Sequence, residues 1–210
     1  MGNRRGFFIT LEGCEGSGKS TQTALIKEYL LSKGIDAEFT REPGGTEIAE
    51  KIRAIILDGS NVEMADETEA LLYSASRIQL VKEKLLPKIT AGKTVVCDRY
   101  IDSSFAYQAY ARGLGYDYIY SINKKAFELC PPDLTLFFDI SPDDAFKRKG
   151  GADEGDRLEQ SGIEFHRAVY RGYKELLKIY PERIVAIDAS KSVEETFGEV
   201  KAHIDGLLGL

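Results

Sequence analysis

The stretch that decides the fold runs from Phe7 to Thr21 and reads FFITLEGCEGSGKST. Its first part, Phe7 to Glu12, is mostly apolar and is typical of a buried strand. The next part, Gly13 to Ser20, matches the pattern G-x-x-x-x-G-K-[ST], and a helical pattern follows it. A strand before this pattern and a helix after it are the setting in which it binds phosphates, which makes a chance glycine-rich turn a poor alternative. We therefore predict a phosphate-binding loop.

This loop carries the groups that a nucleoside triphosphate requires. Its glycines let the backbone curl so that successive N–H groups point at one phosphate, and the helix that begins near Lys19 adds its positive end. Lys19 is expected to reach the β- and γ-phosphates of ATP, and the Ser20 hydroxyl is expected to hold Mg²⁺. The predicted ATP contacts in the loop are Gly13, Cys14, Glu15, Gly16, Ser17, Gly18, Lys19, Ser20 and Thr21.

The rest of the chain alternates apolar runs with helical patterns. Such alternation predicts an α/β fold with a parallel sheet and helices on both faces. Asp66 is expected to cap a long helix in a capping box with Glu69, and that helix is expected to end before Pro87. Ser141 and Ser192 are expected to cap later helices. Further strands are predicted at 37–40, 94–98, 134–140 and 184–188, and the main helices at 21–33, 47–57, 66–86, 103–111, 118–129 and 163–179.

Composition narrows the possible functions. The 210 residues fit one domain, 1–210, and no apolar run approaches the roughly 20 residues of a membrane span, so we expect a cytoplasmic protein with no membrane partner. The net charge of −6 argues against a nucleic-acid polymer as partner. Three cysteines without a Cys-x-x-Cys pair and two distant histidines argue against a disulfide framework or zinc site. We expect buried thiols at Cys97 and Cys130, and His166 on a helix surface.

Two common uses of a phosphate-binding loop are disfavoured by the rest of the sequence. A regulatory GTPase would need the guanine-reading string Asn-Lys-x-Asp, but the nearest string, Asn123 to Ala126, reads NKKA. A mechanical ATPase would usually have an apolar strand that ends in Asp-Glu, whereas the candidate strands end in Asp98-Arg99 and Asp139-Ile140. The leading class is a small-molecule kinase, and because many functions share this loop, the reaction has to be predicted from other residues.

Three segments supply groups suited to a second, anionic substrate. They are, in order, Arg41 to Thr46 with Arg53; Tyr73 with Arg77; and Asp98 to Tyr100 with Ser103, Ser104, Tyr107 and Gln108. Tyr73 and Arg77 are four residues apart and share a helix face, as can Ser104, Tyr107 and Gln108. An aromatic ring, an arginine, a glutamine and hydroxyl groups on neighbouring helices would suit a nucleobase.

At these residues the chain resembles the thymidylate kinase family. The resemblance rests on FFITLEGCEGSGKST, FTREPGGTEIAEKIR, ETEALLYSASRIQL, VVCDRYIDSSFAYQ, PPDLTLFFDI and GDRLEQ, which follow the family's order from about residue 7 to residue 190. It implies a P-loop NTPase-type three-layer fold, with a five-stranded parallel sheet, helices on both faces and a mobile lid at about 142–160. It also implies the Mg²⁺-dependent reaction of ATP with dTMP to give ADP and dTDP, in dTTP biosynthesis, by a homodimer.

The resemblance implies a role for each matching residue. Arg99 would lie between the phosphates of the two substrates, Tyr73 would stack on thymine where the family usually has Phe, and Tyr107 would crowd the sugar C2′. Arg77 would donate to a thymine carbonyl, and Gln108 would pair with the ring N–H. The residues implied to bind dTMP are Glu15, Glu42, Pro43, Arg53, Tyr73, Arg77, Arg99, Ser103, Ser104, Tyr107 and Gln108, and those implied at the metal are Ser20, Glu42 and Asp98, mostly through water.

The cation that acts on the transferring phosphoryl group is open at this point. Some family members place a basic residue in the phosphate loop, where this chain has Glu15 to Ser17. Members without that residue often carry several lid arginines, and this lid has few of them. Arg148 also resembles the residue beside adenine, and Arg157 lies in the GDRLEQ string. The predicted catalytic cations are Lys19, Arg99, and Arg148 or Lys149, with Arg53 assisting.

Two alternative functions stay open. One is another nucleoside monophosphate kinase, or a deoxynucleoside kinase, of the same fold. The other is a non-catalytic nucleotide-binding regulator. Lys19, Ser20, Arg99 and a lid argue against a regulator, since a binding protein has no need of cations on both sides of the γ-phosphate. Turnover in the presence of an acceptor distinguishes the two classes.

Overall fold

The computed structural model describes residues 5–148 and 161–210. In this part of the chain, five parallel strands form one sheet in the order β2-β3-β1-β4-β5. Helices precede or follow every strand, so the predicted α/β fold with a five-stranded parallel sheet is confirmed. The strands are β1 (Phe8–Glu12), β2 (Glu38–Arg41), β3 (Val95–Asp98), β4 (Leu134–Asp139) and β5 (Ile184–Asp188).

The helices of the described residues fall close to the predicted ranges. Two π-helical segments, Val81–Leu85 and Phe105–Ala111, continue α3 and α5. The Ser141 and Ser192 hydroxyls accept hydrogen bonds from Asp144 N and Glu195 N, as predicted for capping residues. The helices are α1 (Lys19–Ser32), α2 (Glu47–Leu57), α3 (Asp66–Leu80), α4 (Leu86–Thr90), α5 (Ile101–Ser104), α6 (Tyr116–Leu129), α7 (Pro142–Arg148), α8 (Ile163–Ile179) and α9 (Val193–Leu208).

Two apolar clusters lie on opposite faces of the sheet. Successive strand residues alternate between the faces, so Ile9 joins one cluster and its neighbour Phe8 joins the other. The Ile9 cluster contains Ile26 of α1 and Val200 of α9, while the Phe8 cluster receives side chains from α3, the Phe105–Ala111 segment, α6 and α8. Helices therefore cover both faces, which explains why the central strands β1, β3 and β4 are mostly apolar, whereas the edge strand β2 is not.

The long helix after residue 65 corrects two predictions. Ala65 occupies the N-cap position, and Asp66 is the first helical residue with no side-chain cap hydrogen bond. Glu69 is fully buried and accepts hydrogen bonds from Gln108 and Arg112. The helix also does not end before Pro87, because the π-helical turn at Val81–Leu85 restarts it and leaves Pro87 in the first turn of α4.

The sheet register brings three strand ends to the same level. Asp98 of β3 lies beside Leu11 of β1 and beside Arg41 of β2. Ligands of open α/β sheets bind at the carboxyl ends of the strands, so this edge is where a site is expected. None of the described helices is long and apolar enough to cross a membrane.

Candidate active site

The phosphate loop connects β1 to α1, as predicted. Gly18 is the N-cap residue of α1 and has φ 91°, a left-handed conformation that glycine adopts without strain. A Cβ at Gly13 would lie 3.0 Å from the Phe138 carbonyl oxygen. The Lys19 ammonium is 6% exposed and donates to the Gly13 and Cys14 carbonyl oxygens, both at 3.0 Å. Burial lowers the pKa of Lys19. The backbone of the loop therefore holds the Lys19 ammonium in place.

Arg99 lies between this loop and the neighbouring cavity. Its Nη2 donates to Glu15 Oε1 of the loop at 2.5 Å, and its Nη1 donates to the Ser103 hydroxyl at 3.3 Å and the Tyr173 hydroxyl at 3.4 Å. The guanidinium also lies 5.2 Å from the centroid of the Tyr107 ring. A guanidinium keeps its charge at all ordinary pH values. Arg99 therefore places a permanent positive charge between the phosphate loop and the neighbouring cavity.

A buried carboxylate holds the segment that carries Arg99. Glu12, the last residue of β1, is fully buried, and its Oε1 accepts from Tyr100 N at 2.8 Å and Ser103 N at 3.2 Å. Its Oε2 accepts from the Ser103 hydroxyl at 2.6 Å and the Tyr173 hydroxyl at 2.7 Å. Burial, with a smaller contribution from Asp102, raises the pKa of Glu12 to about 6. Sequence analysis missed Glu12 and Tyr173 as site residues.

A cavity of about 230 Å³ opens beside Arg99. It gathers every residue predicted to bind dTMP except Arg77 and Ser104. The Arg53 guanidinium donates to the Pro43 carbonyl oxygen at 2.9 Å, which fixes it at the cavity wall. The lining residues are Glu15, Arg41, Glu42, Pro43, Arg53, Leu57, Tyr73, Asp98, Arg99, Ser103, Tyr107, Gln108 and His166.

Arg77 lies beneath this cavity and is 1% exposed. Its guanidinium donates to Glu42 Oε2 at 2.8 Å, the Ser104 hydroxyl at 2.9 Å, Asn123 Oδ1 at 2.6 Å and the Tyr100 carbonyl oxygen at 3.1 Å. Burial raises the pKa of Glu42 to about 7, against the lowering effect of Arg77. Arg77 thus joins α3, α6 and the Arg99 segment. A direct contact of Arg77 or Ser104 with a base stays a prediction.

Gln108 lines the cavity and has a fixed partner behind it. The side chain is 1% exposed, and its amide Nε2 donates to Glu69 Oε1 at 2.9 Å. Glu69 Oε2 accepts from Arg112 Nη2 at 3.2 Å. No site role was predicted for Glu69 or Arg112, although each lies four residues along the chain from a predicted site residue, Tyr73 and Gln108 respectively.

His166 corrects a further expectation. It lies on α8, but the first turn of that helix crosses the cavity, so the imidazole is half-buried in the cavity wall instead of lying on an open helix surface. Leu57 also lines the cavity without having been assigned to it, whereas Arg41 belongs to a segment that was predicted to serve the second substrate. These contacts depend on how α8 and α2 pack, and a single-sequence pattern does not define that packing.

A second cleft, of about 450 Å³, opens on the other side of Asp98. Ser20 at the start of α1 and Asp98 at the end of β3 both line it. Asp98 Oδ1 is buried and has no hydrogen-bond partner among the described residues. Within 5–148 and 161–210, no cluster of three or more His, Cys, Asp or Glu side chains could hold a metal alone. An ion here would therefore need further oxygen ligands from a bound phosphate.

Helix α7 is the described part of the segment that was predicted to form a lid. Arg148, its last residue, donates from Nη1 to the Ala189 carbonyl oxygen at 2.7 Å and from Nη2 to the Ser190 carbonyl oxygen at 3.0 Å. These contacts place its guanidinium on the loop after β5. Lys149 and Arg157 lie outside the described residues, so their predicted roles stay predictions.

All three cysteines are buried thiols, as expected for Cys97 and Cys130. Cys14 is the unusual one because it lies inside the phosphate loop, where it is 2% exposed. Burial raises the pKa of Cys14 to about 11, although Lys19 and Arg99 lower it. The thiol is therefore protonated at neutral pH.

The fold and the site define a P-loop nucleotide-binding protein with a separate, arginine-lined cavity for a second substrate. The family model described as thymidylate kinase matches residues 11–200. A thymidylate kinase of Clostridium novyi is 49% identical over 202 residues, which cover 95% of this chain and 98% of the relative. One of Finegoldia magna is 50% identical over 192 residues, covering 91% and 94%. The chain belongs to the thymidylate kinase family.

Proposed function

We propose that this protein transfers the γ-phosphoryl group of ATP to the phosphate of dTMP, which gives ADP and dTDP and serves dTTP biosynthesis. The observation that carries the proposal is the position of Arg99, which bonds to the phosphate loop through Glu15 and also lines the cavity of about 230 Å³. The relatives are thymidylate kinases, and we assign ATP to the phosphate loop and dTMP to the cavity of about 230 Å³.

The chemistry requires positioning and charge more than proton transfer. The acceptor phosphate is already an anion, so no strong general base is needed, and the enzyme has to hold two polyanions in line. Lys19 and the N-terminus of α1 stabilise the phosphates of ATP. Arg53 binds the acceptor phosphate from the cavity wall, and Arg99 neutralises the charge that builds up between donor and acceptor.

The cavity also suits a deoxyribonucleoside. Tyr73 supplies a ring for stacking on thymine, and Gln108 supplies an amide for the base edge, with Arg77, Ser103 and Ser104 behind or beside it. Burial raises the pKa of Tyr107, so its phenol stays neutral and presents bulk, not charge, toward the sugar. A ribose 2′-hydroxyl would clash with the Tyr107 ring, so the cavity favours a deoxyribose.

The cleft that contains Ser20 and Asp98 fits Mg²⁺ bound together with ATP. A hydroxyl and a carboxylate are oxygen ligands of the kind that Mg²⁺ prefers, and the buried Asp98 oxygen without a partner favours a cation or its water nearby. Glu42 also has one buried oxygen, Oε1, without a hydrogen-bond partner among the described residues, while Arg77 binds its other oxygen, Oε2. When bound, the ion supplies charge neutralisation at the β- and γ-phosphates.

We further propose that the lid contributes a cation from Arg148 or Lys149, and that Arg148 covers adenine. Arg148 is held by carbonyl oxygens of the loop after β5, which supports a position at one side of the nucleotide. Alanine substitution at each residue tests this proposal by steady-state kinetics, and an unchanged kcat in both variants contradicts it.

The protein is further proposed to act in the cytoplasm as a homodimer. Three free, buried thiols suit a reducing compartment. Large exposed apolar side chains occur on neighbouring helices α2 and α3, where Ile48, Ile55 and Leu71 are 51%, 50% and 50% exposed. Exposed apolar groups of this size on adjacent helices are typical of a contact surface.

A coupled ADP-release assay tests the function. ATP, Mg²⁺ and one of dTMP, dUMP, UMP, AMP, CMP, GMP or thymidine are supplied, and kcat/KM is compared. The proposal requires dTMP to give the highest value by a wide margin. A higher value for another acceptor indicates a different kinase of this fold. ATP binding without turnover on any acceptor indicates a regulator.

A further inference from the structure

We propose that Glu69 is a specificity-determining positioning residue, which holds the Gln108 amide so that its oxygen, not its nitrogen, faces the base in the cavity. The proposal rests on the proposed function, because it concerns how the dTMP cavity chooses its base. Glu69 lies behind Gln108 and does not line the cavity, so it acts only through the glutamine.

The geometry fixes one end of the amide. Gln108 Nε2 donates to Glu69 Oε1 at 2.9 Å, and both side chains are almost completely buried, at 1% and 0% exposure. A primary amide has a donor end and an acceptor end on the same carbon. If the donor end binds behind the cavity wall, the acceptor end is the one that turns toward the cavity.

The Glu69 carboxylate and its arginine partner favour this orientation of the Gln108 amide. Arg112 Nη2 donates to Glu69 Oε2 at 3.2 Å, and the Arg112 guanidinium stacks 4.6 Å from the Phe165 ring centroid on α8. Both Glu69 oxygens already act as acceptors, since Oε1 accepts from Gln108 and, at 3.5 Å, from Arg112 Nε, and Oε2 accepts from Arg112 Nη2. Rotating the Gln108 amide by half a turn would bring its oxygen against this carboxylate in a buried setting, which is strongly unfavourable.

The orientation selects one class of base. Thymine and uracil carry an N–H at ring position N3, which an amide oxygen can accept. Cytosine has a lone pair at N3, which would face the amide oxygen without a proton between them. A buried polar pair that is mismatched in this way costs far more than a lost methylene contact. Glu69 therefore favours dTMP over dCMP by orienting the Gln108 amide, without contacting the base itself.

The test compares Glu69→Gln with Glu67→Gln in the ADP-release assay. Both changes remove one carboxylate from α3, but Glu67 is exposed. A glutamine at 69 offers either a donor or an acceptor to Gln108, so the amide can turn. We expect the ratio of kcat/KM for dTMP to that for dCMP to fall about tenfold or more in Glu69→Gln, and to stay within about twofold in Glu67→Gln. The ratio comes from one preparation, so it does not depend on the folded fraction.

A double variant shows whether Glu69 acts through Gln108. In a Gln108→Leu background the amide is gone, so Glu69→Gln is expected to leave the ratio unchanged. An unchanged ratio in the single Glu69→Gln variant overturns the proposal, and so does an equal fall with and without Gln108. If the unmodified protein itself does not prefer dTMP, the proposed function fails instead, and the wild-type measurement reveals this separately.

Discussion

Arg99 has an unusual backbone for a residue with a side chain. Its φ of 66° lies in the left-handed region, which costs a non-glycine residue about 1–2 kcal/mol. The surrounding hydrogen bonds hold it there: Arg99 N donates to the Leu11 carbonyl oxygen at 2.9 Å, and the next amide, Tyr100 N, donates to Glu12. The strained turn aims the guanidinium back toward the phosphate loop, so strain is kept where the reaction needs a fixed charge.

Glu12 gives a pH-dependent prediction at the same scale. Its folded pKa of about 6 is above the usual 4.5, so the folded state holds the proton more tightly than the unfolded state does. This stabilising contribution is complete below pH 4.5 and is lost as the pH rises through 6. Relative to wild type, the unfolding free energy of Glu12→Gln is therefore expected to rise by about 2 kcal/mol between pH 4 and 7.

Urea unfolding of both proteins across this pH range measures the difference. Taking the difference cancels the carboxyl groups that do not interact with Glu12; Glu42 cancels only in part, because the charge of Glu12 contributes slightly to its raised pKa. A difference that is independent of pH would show that Glu12 keeps an ordinary pKa in the folded protein.

The sequence predicted some of these residues and could not predict others. Gly13 to Ser20 form a local motif, so their loop follows from the sequence alone. Glu12 receives its hydrogen bond from Tyr173, which is 161 residues away, and Arg77 binds Asn123 across 46 residues. Such pairs are set by how helices pack over the sheet, and no spacing rule within a single sequence defines them.

Helix α8 is the element that ties the cavity to the core. Gly172 lets it approach the Phe105–Ala111 segment, since a Cβ there would lie 3.0 Å from Ala106 Cα and 3.0 Å from Tyr110 Cβ. Tyr173 next to it reaches Glu12, and His166 reaches the cavity. The close approach therefore positions site residues as well as closing the core.

Replacing this glycine tests the packing. Gly172→Ala is expected to destabilise the protein by about 1–3 kcal/mol, because backbone atoms on both sides would have to move. Gly198→Ala is the matched control in α9, where a Cβ meets nothing within 4 Å, and it is expected to stabilise by about 0.5–1 kcal/mol. Urea unfolding checks both values. Equal effects of the two substitutions would contradict a special role for Gly172.

At the element scale, the sequence was most accurate for two helices and one strand. Glu47–Leu57, Ile163–Ile179 and Ile184–Asp188 have the predicted bounds. The helix through Pro87 was predicted wrongly because a proline usually ends a helix, and a π-helical turn that restarts one has no composition of its own.

The whole molecule leaves an apolar surface on α2 and α3 that a second copy could cover. If the proposed homodimer uses it, light scattering after gel filtration should give twice the 23.3 kDa chain mass for the wild type. Ile55→Glu and Leu71→Glu should give one chain mass, because a charge at either position would be buried in the dimer. Leu31→Glu, at a 68% exposed position on α1, is the control that should stay dimeric. Dimers in every variant would place the interface elsewhere.

The cysteine in the phosphate loop, Cys14, allows opening of the loop to be measured in the native protein. Alkylating reagents attack the thiolate of an accessible cysteine, and Cys14 is neither ionised nor accessible while the loop keeps its folded shape. Labelling at Cys14 therefore counts excursions in which the loop opens, with no engineered probe. A nucleotide that binds the closed loop would lower the rate of alkylation at Cys14. The size of that decrease would measure the affinity of the loop for the nucleotide.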